Sequence, residues 1–228
     1  MFQKTKSFLK EELNKNLSSF NYEGISYDLD LETHTNKAET YLLEDSDSFV
    51  SLIFTVTADQ NGNFSEMVRS NVVVENEKAT TILDIRYDIL SQSFIVDVGE
   101  VIEEPAHTVW ETIKERNYSG LIEQLKEKDG SIETQAFGDF CLPGGYQYCG
   151  QACGTNGSAG GGGPIYNKID GCCYIHDDCY RRNKTNRCSA CDLDLISCVN
   201  TWNNFKEGPV AATAITTFFN AKCNSIII

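Results

Sequence analysis

Residues 1–140 contain no cysteine, and all ten cysteines of the 228-residue chain lie from Cys141 onward. Cysteine cross-links are therefore excluded from the first part, and the chain reads as two domains, 1–136 and 137–228. Cationic charge is scarce in the same place. Residues 1–140 hold 12 Lys+Arg against 27 Asp+Glu, a net of −15, while residues 141–228 hold 7 against 6, a net of +1. An acidic surface of this kind repels phosphates, which argues against nucleic acid as a partner. The start, Met1 to Glu12, has no apolar run after its lysines and no small-residue cleavage pattern, so no ordinary signal peptide is legible. The glycine run Gly160 to Gly163 has no Walker lysine after it, so it carries no phosphate-cradling signature. Near the end, Val210, Ala211, Ala214, Ile215, Phe218 and Phe219 form a helical stripe, but the segment is too short to span a bilayer of roughly 30 Å. A packed core helix is the better reading of it than a membrane anchor.

The first domain has secondary structure but no evident chemistry. Residues 3–19 read as a short charged helix. From Phe49 the apolar period becomes two, which predicts strands at Phe49 to Thr57, Glu66 to Val74, Thr80 to Tyr87 and Ser93 to Val98. Asp59-Gln60-Asn61-Gly62-Asn63 supplies turn chemistry between the first two, so an antiparallel meander is expected. Residues 108–127 return to helical spacing, and Asp129 to Phe140 read as a polar connector. His34 and His107 are isolated, in the pattern of surface or capping residues rather than ligands. The acidic balance reads as a solvated face. A sharper alternative is a pro-segment that masks the second domain within the same chain.

Ten cysteines in the last 88 residues is the density of a small domain stapled in an oxidising compartment. A secreted protein is implied, by an export route the sequence does not show. The second domain centres on Cys172-Cys173-Tyr174-Ile175-His176-Asp177-Asp178-Cys179-Tyr180. On a helix, Cys172, His176, Cys179 and Tyr180 share one stripe. Cys191 and Cys198 repeat the seven-residue spacing, which spans roughly 10.5 Å of helix. Two antiparallel helices would then be joined by two rungs, Cys172 to Cys198 and Cys179 to Cys191. The bland alternative is four unbonded core cysteines. His176 and Asp177 point about 100° apart on such a helix, so the His can face the neighbouring helix while the Asp faces the loop.

Upstream, Tyr146-Gln147-Tyr148-Cys149-Gly150-Gln151-Ala152-Cys153-Gly154 and the glycine run fit a loop whose backbone must approach something closely. Inward carbonyls completed by a carboxylate suit a hard cation such as Ca²⁺, and Asp177 is the candidate carboxylate. A zinc module is invited by Cys188-x-x-Cys191 with His176. The spacing is wrong for a common finger, and adjacent Cys172 and Cys173 suit tetrahedral ligation poorly.

Tyr148-Cys149-Gly150 with its glycine-rich loop, then Asp170-x-Cys172-Cys173-x-x-His176-Asp177-x-Cys179-Tyr180, then Cys191-Asp192 with Cys198, resembles the secreted phospholipase A2 family over about residues 141–205. Only seven residues separate Tyr180 from Cys188, so the β-wing of the vertebrate enzymes and its extra tyrosine are missing, as in the short microbial forms. The resemblance implies an all-α, disulfide-stapled second domain, and hence an α+β chain overall. It implies a hydrolase of lipid degradation that cleaves the sn-2 ester of glycerophospholipids to lysophospholipid and fatty acid. His176 would be the base that activates water, Asp192 would orient it, and Tyr180 would hydrogen-bond the same carboxylate. The metal ligands would be Asp177 and the carbonyls of Tyr148, Gly150 and Ala152, with the Gly150 N–H serving the oxyanion. A second frame, starting at Cys153-Gly154, moves the carbonyl ligands downstream. The family pattern also implies a Cys149–Cys173 disulfide. Cys141, Cys153, Cys188 and Cys223 then admit three pairings, of which Cys141 with Cys223 is the one expected here. The partner implied is a membrane surface met peripherally, with the basic turn Arg181, Arg182, Lys184 and Arg187 either drawn to anionic lipid or simply solvated. A member that has lost activity and serves as a binding module is the competing reading, although both His176 and Asp177 are present.

Overall fold

The structure, a computed structural model, describes residues 1–17, 20–31, 34–77, 79–88, 91–117, 141–142, 144–150, 152–154 and 160–224. The chain divides into two compact units. One comprises Met1–Ser26, Ala38–Val56 and Glu66–Lys126, and the other Tyr27–Lys37, Thr57–Ser65 and Glu127–Ile228. The expected boundary between residues 136 and 137 and the connector 129–140 lie outside the described residues, as does the end of the helix expected over 108–127.

Helix α1 (Phe2–Leu13) precedes six strands: β1 (Asn21–Leu31), β2 (His34–Asp45), β3 (Val50–Ala58), β4 (Phe64–Glu75), β5 (Thr80–Asp88) and β6 (Ser93–Ile102). Helix α2 (Ala106–Asn117) follows. The strands lie in chain order in one antiparallel sheet, the meander that the period-two pattern predicts. Helix α1 is shorter than the expected 3–19, because Asn14 turns left-handed at φ 52° and ends it. Strands β1 and β2 are additions to the sequence reading, although Ile25, Tyr27, Leu29 and Leu31 alternate in β1. His34 opens β2. His107 is exposed near the start of α2. The β3–β4 turn is built on Asp59, whose Oδ1 accepts from the backbone N–H groups of Asn61 and Asn63, both at 2.8 Å.

Side chains alternate across each strand, so the sheet has two faces with different chemistry. On one face Val50, Val72 and Ile85 form an apolar cluster with Leu9 of α1 and with Leu17. On the other, Ser51, Asn71 and Asp84 are buried polar residues at the adjacent positions. Helix α2 meets this second face through Arg116, whose Nη2 donates to Asn71 Oδ1 at 2.9 Å, and Asn117, whose Nδ2 donates to Ser51 Oγ at 2.9 Å. Asp84 is fully buried and accepts two bonds from Arg69, at 2.7 and 2.8 Å. Such a network is tolerated because its members satisfy one another.

The second unit carries helix α3 (Lys168–Arg182), a π-helical turn (Cys188–Asp192) continued by α4 (Leu193–Val199), then α5 (Trp202–Phe205) and α6 (Pro209–Asn224). Cys172–Cys198 and Cys179–Cys191 join α3 to the π turn and α4, with Cα separations of 5.9 and 5.8 Å. Cys149–Cys173 ties the upstream loop to α3. The expected Cys141–Cys223 pairing is corrected: Cys141 pairs with Cys153 and Cys188 with Cys223. The physical reason is that the glycine-rich loop folds back on itself, which brings Cys141 beside Cys153, while the last turn of α6 reaches the π turn. Residues 211–219 of α6 are buried throughout, the environment of a core helix. Among the described residues no helix is long and apolar enough to cross a membrane.

Two outcomes follow from this packing. Arg69→Met leaves Asp84 buried without its bidentate partner and should cost about 3–5 kcal/mol in urea unfolding, whereas Arg69→Met with Asp84→Leu should recover much of that loss; equal losses in both would contradict the role of the pair. Proteolytic mapping without reduction should yield Cys141–Cys153 and Cys188–Cys223 linked peptides, and a Cys141–Cys223 peptide would overturn the loop path.

Candidate active site

The site begins at the amino end of α3. Asn167 caps the helix, its Oδ1 accepting from the Asp170 N–H at 2.9 Å. A capping side chain satisfies one of the free N–H groups there, and an acid in the first turn complements the positive end of the helix dipole. Asp170 is fully buried and turns its carboxylate back to the loop. Its Oδ1 accepts from the N–H groups of Gln147 and Tyr148, at 3.0 and 2.8 Å, and its Oδ2 from that of Tyr166 at 2.9 Å. One carboxylate thereby fixes three backbone groups of the segments that flank the glycine run.

The glycines of that loop are needed because backbone meets backbone. A Cβ on Gly161 would come 2.2 Å from the Gln147 carbonyl oxygen, and one on Gly154 would come 2.6 Å from the Tyr148 ring. The Gly162 N–H donates to Gln147 O at 3.1 Å, and the Tyr148 hydroxyl donates to Gly163 O at 2.8 Å. The close approach expected of the glycine run is thus to the loop 147–154. The Gly154 N–H is engaged with Gly160 O at 2.9 Å.

Tyr148, Gly150 and Ala152 line one pocket of about 160 Å³ together with His176, Asp177 and Tyr180. Its remaining wall is mostly apolar, from Cys173, Leu195, Ile215, Phe218 and Phe219, with Lys222 at the edge of α6. Gly150 and Ala152 both have positive φ, 131° and 59°. A left-handed alanine is uncommon and marks a backbone held by its surroundings.

Across the pocket, the cross-linked helices bring His176 against Asp192. His176 Nε2 lies 2.8 Å from Asp192 Oδ1, with the histidine 9% exposed and the aspartate fully buried. The Tyr180 hydroxyl donates to the same oxygen at 2.6 Å. The imidazole is held between the rings of Tyr180, at 4.3 Å, and Phe219, at 5.0 Å. Asp177 has a different environment. Burial pushes its carboxyl up to about 7, opposed by the Arg181 guanidinium and reinforced by the charge of Asp170. A carboxylate desolvated in this way gains from a nearby cation.

All the residues expected at the site, His176, Asp177, Tyr180, Asp192, Tyr148, Gly150 and Ala152, therefore meet around this pocket or directly behind it. Sequence reasoning passed over two others. Asp170 stands in the quoted motif, but its service to the loop backbone is a tertiary contact. Lys222, whose Nζ donates to the Tyr180 hydroxyl at 3.2 Å, follows Phe218 and Phe219 at helical spacing and so shares their face. In the basic turn, Arg181 and Arg182 both pair with Asp178, and Arg187 stacks on the Tyr180 ring at 4.4 Å. Among the described residues one further group has metal-ligand spacing, Cys188, Cys223 and Asp192, but its two sulfurs are bonded to each other. No family model matches the chain, and no curated protein and no solved structure matches it.

Proposed function

We propose that the cysteine-bearing part of the chain, residues 137–228, is a calcium-dependent phospholipase A2 of the short microbial type, hydrolysing the sn-2 ester of glycerophospholipids. The observation that carries this reading is the His176 Nε2 to Asp192 Oδ1 contact inside a pocket that Asp177 also lines. A buried carboxylate accepts, so Nε2 bears the proton and Nδ1 is left as an acceptor. His176 then takes a proton from water at Nδ1, and the water oxygen attacks the ester carbonyl carbon. The same proton passes to the departing glycerol oxygen, giving lysophospholipid and fatty acid. Asp192 holds the imidazole in the working tautomer and steadies the charge it gains. Leu195, Ile215, Phe218 and Phe219 offer an apolar wall for an acyl chain.

The donor set fits Ca²⁺: Asp177, Tyr148, Gly150 and Ala152 line one pocket and offer a carboxylate and three backbone carbonyls, all hard oxygens, and a divalent ion would relieve the desolvation of Asp177. When bound, the ion supplies Lewis-acid polarisation of the ester carbonyl. The Gly150 N–H is the chain's own donor for the developing oxyanion. Ile165, Tyr166, Tyr174 and Ile175 are exposed apolar side chains of the same unit, which suits a substrate presented in a bilayer. Five disulfides suit an oxidising, extracellular-type environment.

The test is fatty-acid release from mixed phospholipid vesicles by the full chain, with Ca²⁺ and with a chelator. His176→Ala should lower the rate on the order of 10²–10⁴-fold with the fold intact, and undiminished turnover would sink the mechanism. Asp177→Asn should remove the response to Ca²⁺. The raised Asp177 value gives a pH dependence with a definite sign. Because the folded carboxyl titrates above its ordinary value of 3.8, its contribution to stability without metal is fully present below that value and is lost as pH rises through about 7. Ca²⁺ needs the ionised form, so its apparent affinity should fall about tenfold per pH unit below about 7 and level off above. Calorimetric titration at several pH values checks this, and an affinity flat from pH 5 to 8 would exclude Asp177 as a ligand.

A further inference from the structure

Helix α6 presents Ile215, Phe218, Phe219 and Lys222 to the pocket. Residues three, four and seven apart share one helix face. That face is apolar along its length and ends in a cation. An apolar run closed by a positive charge is the complement of an amphiphile, whose hydrocarbon chain leads to an anionic group. Asp177, which lines the same pocket, carries the opposite sign.

The ammonium is held in place without being neutralised. Its Nζ donates to the Tyr180 hydroxyl at 3.2 Å and lies 5.5 Å from the centre of the Tyr180 ring and 5.4 Å from that of Phe219. Ring faces attract a cation but bring no net charge to it. An ammonium has three protons to donate, and the Tyr180 hydroxyl takes one. Among the described residues no carboxylate forms an ion pair with Lys222. Lys168, Arg181 and Arg182 of the same unit differ, the first paired with Glu207 and the others with Asp178. The end of α6 is also tied down, because Cys223 is bonded to Cys188 at the start of the π turn. A pre-positioned cation thus keeps two donors for a ligand, and little further side-chain freedom is lost when one arrives.

We infer that Lys222 binds the phosphodiester of the substrate, and that this contact makes the site select a glycerophospholipid over a neutral glyceride. The inference rests on the hydrolase reading and names what that site recognises. In a glycerophospholipid the phosphate lies a few bonds from the sn-2 ester, and the acyl chain leaves the ester on its other side. One pocket offers each part a partner: His176 for the ester, the apolar face of α6 for the chain, and Lys222 for the phosphate. A hydrogen bond between an ammonium and a phosphate oxygen is charge-assisted, and it is stronger beside apolar walls than in water. A diacylglycerol has the same ester and chains but no anion, so it forfeits this contact alone. The released fatty acid is a second source of anionic oxygen, and the experiment separates the two.

The experiment uses the full chain as wild type, Lys222→Met and Lys222→Arg. Methionine keeps an apolar stem against the two rings and removes the charge. Calorimetry follows binding of dodecylphosphocholine and of dodecyl maltoside, below their micelle concentrations and with a chelator, so that no metal holds the phosphate. The wild type should bind the phosphocholine about tenfold more tightly than the maltoside. Lys222→Met should lose about that factor for the phosphocholine alone, and Lys222→Arg should retain it. With Ca²⁺ and a short-chain phosphatidylcholine dispersed as monomers, Lys222→Met should raise KM about tenfold with kcat within about twofold. Hydrolysis of the diacylglycerol with the same chains should fall by no more than about twofold. Equal losses on the two esters, or an unmoved KM, in a Lys222→Met protein with wild-type near-ultraviolet circular dichroism would overturn the inference. So would weaker inhibition by laurate at an unchanged KM, which would assign the ammonium to the product carboxylate. Should Lys222→Met fold poorly, the wild type decides, since equal affinity for the two detergents would overturn the inference. A wild-type protein that releases no fatty acid would defeat the hydrolase reading, and the detergent comparison would still decide whether Lys222 holds a phosphodiester.

Discussion

A carboxylate with no access to water must be given hydrogen bonds by its surroundings, and Asp192 imposes that requirement on the second unit. The tyrosine and the histidine that answer it sit one turn apart on α3, so they reach it together only if α3 and the π turn are held at one separation and one register. Cys172–Cys198 and Cys179–Cys191 hold them so, on either side of His176. Cys188–Cys223 then closes the back of the site with α6. The π turn itself places an extra residue just before Asp192, a local departure from α-helix of the kind that often accompanies functional side chains. The cross-links thus fix the relative placement of a few polar atoms.

A second buried carboxylate, Asp170, does for the backbone what Asp192 does for side chains. Two of its three N–H partners, Gln147 and Tyr148, belong to the loop that brings Tyr148, Gly150 and Ala152 to the pocket, so the shape of that loop depends on the amino end of α3. Loop and helix are one device. The glycine run is a consequence, since chain can pass within van der Waals contact of the Gln147 carbonyl only where no Cβ intervenes. The sheet unit meets the same constraint differently. Asp84 is satisfied by Arg69, and Arg116 and Asn117 reach across from α2 to Asn71 and Ser51, so this core is held by a polar lattice on one face and by apolar packing on the other.

Much of this was legible before any coordinates. Period two along 49–98 announces a meander because a half-buried strand must alternate, and seven-residue cysteine spacings on two segments announce paired helices because that is two turns. The roles of the site residues were legible through the family resemblance of the motif, whereas helical offsets alone put His176, Asp177 and Tyr180 on defined sides of one helix. Strand β1 was passed over although it alternates from Ile25 to Leu31, and β2 because its first half, His34 to Thr40, is almost wholly polar and shows no apolar period. The pairing of Cys141, Cys153, Cys188 and Cys223 was not legible, since it depends on how a glycine-rich loop returns and on where α6 ends. Neither has a periodicity to read.

The sequence by itself determined what is set by short-range spacing: the division of charge and cysteine, the strand and helix periods, the two rungs beside His176, and which side chains could share a helix face. Tertiary structure alone decided what depends on distant segments meeting. It assigned Asp170 to the loop backbone, aimed Nε2 of His176 at Asp192, desolvated Asp177, and brought Lys222 from the far end of the chain to the Tyr180 hydroxyl. The reason is physical: direction and burial belong to the space between elements, and a one-dimensional pattern fixes only what each element presents to that space.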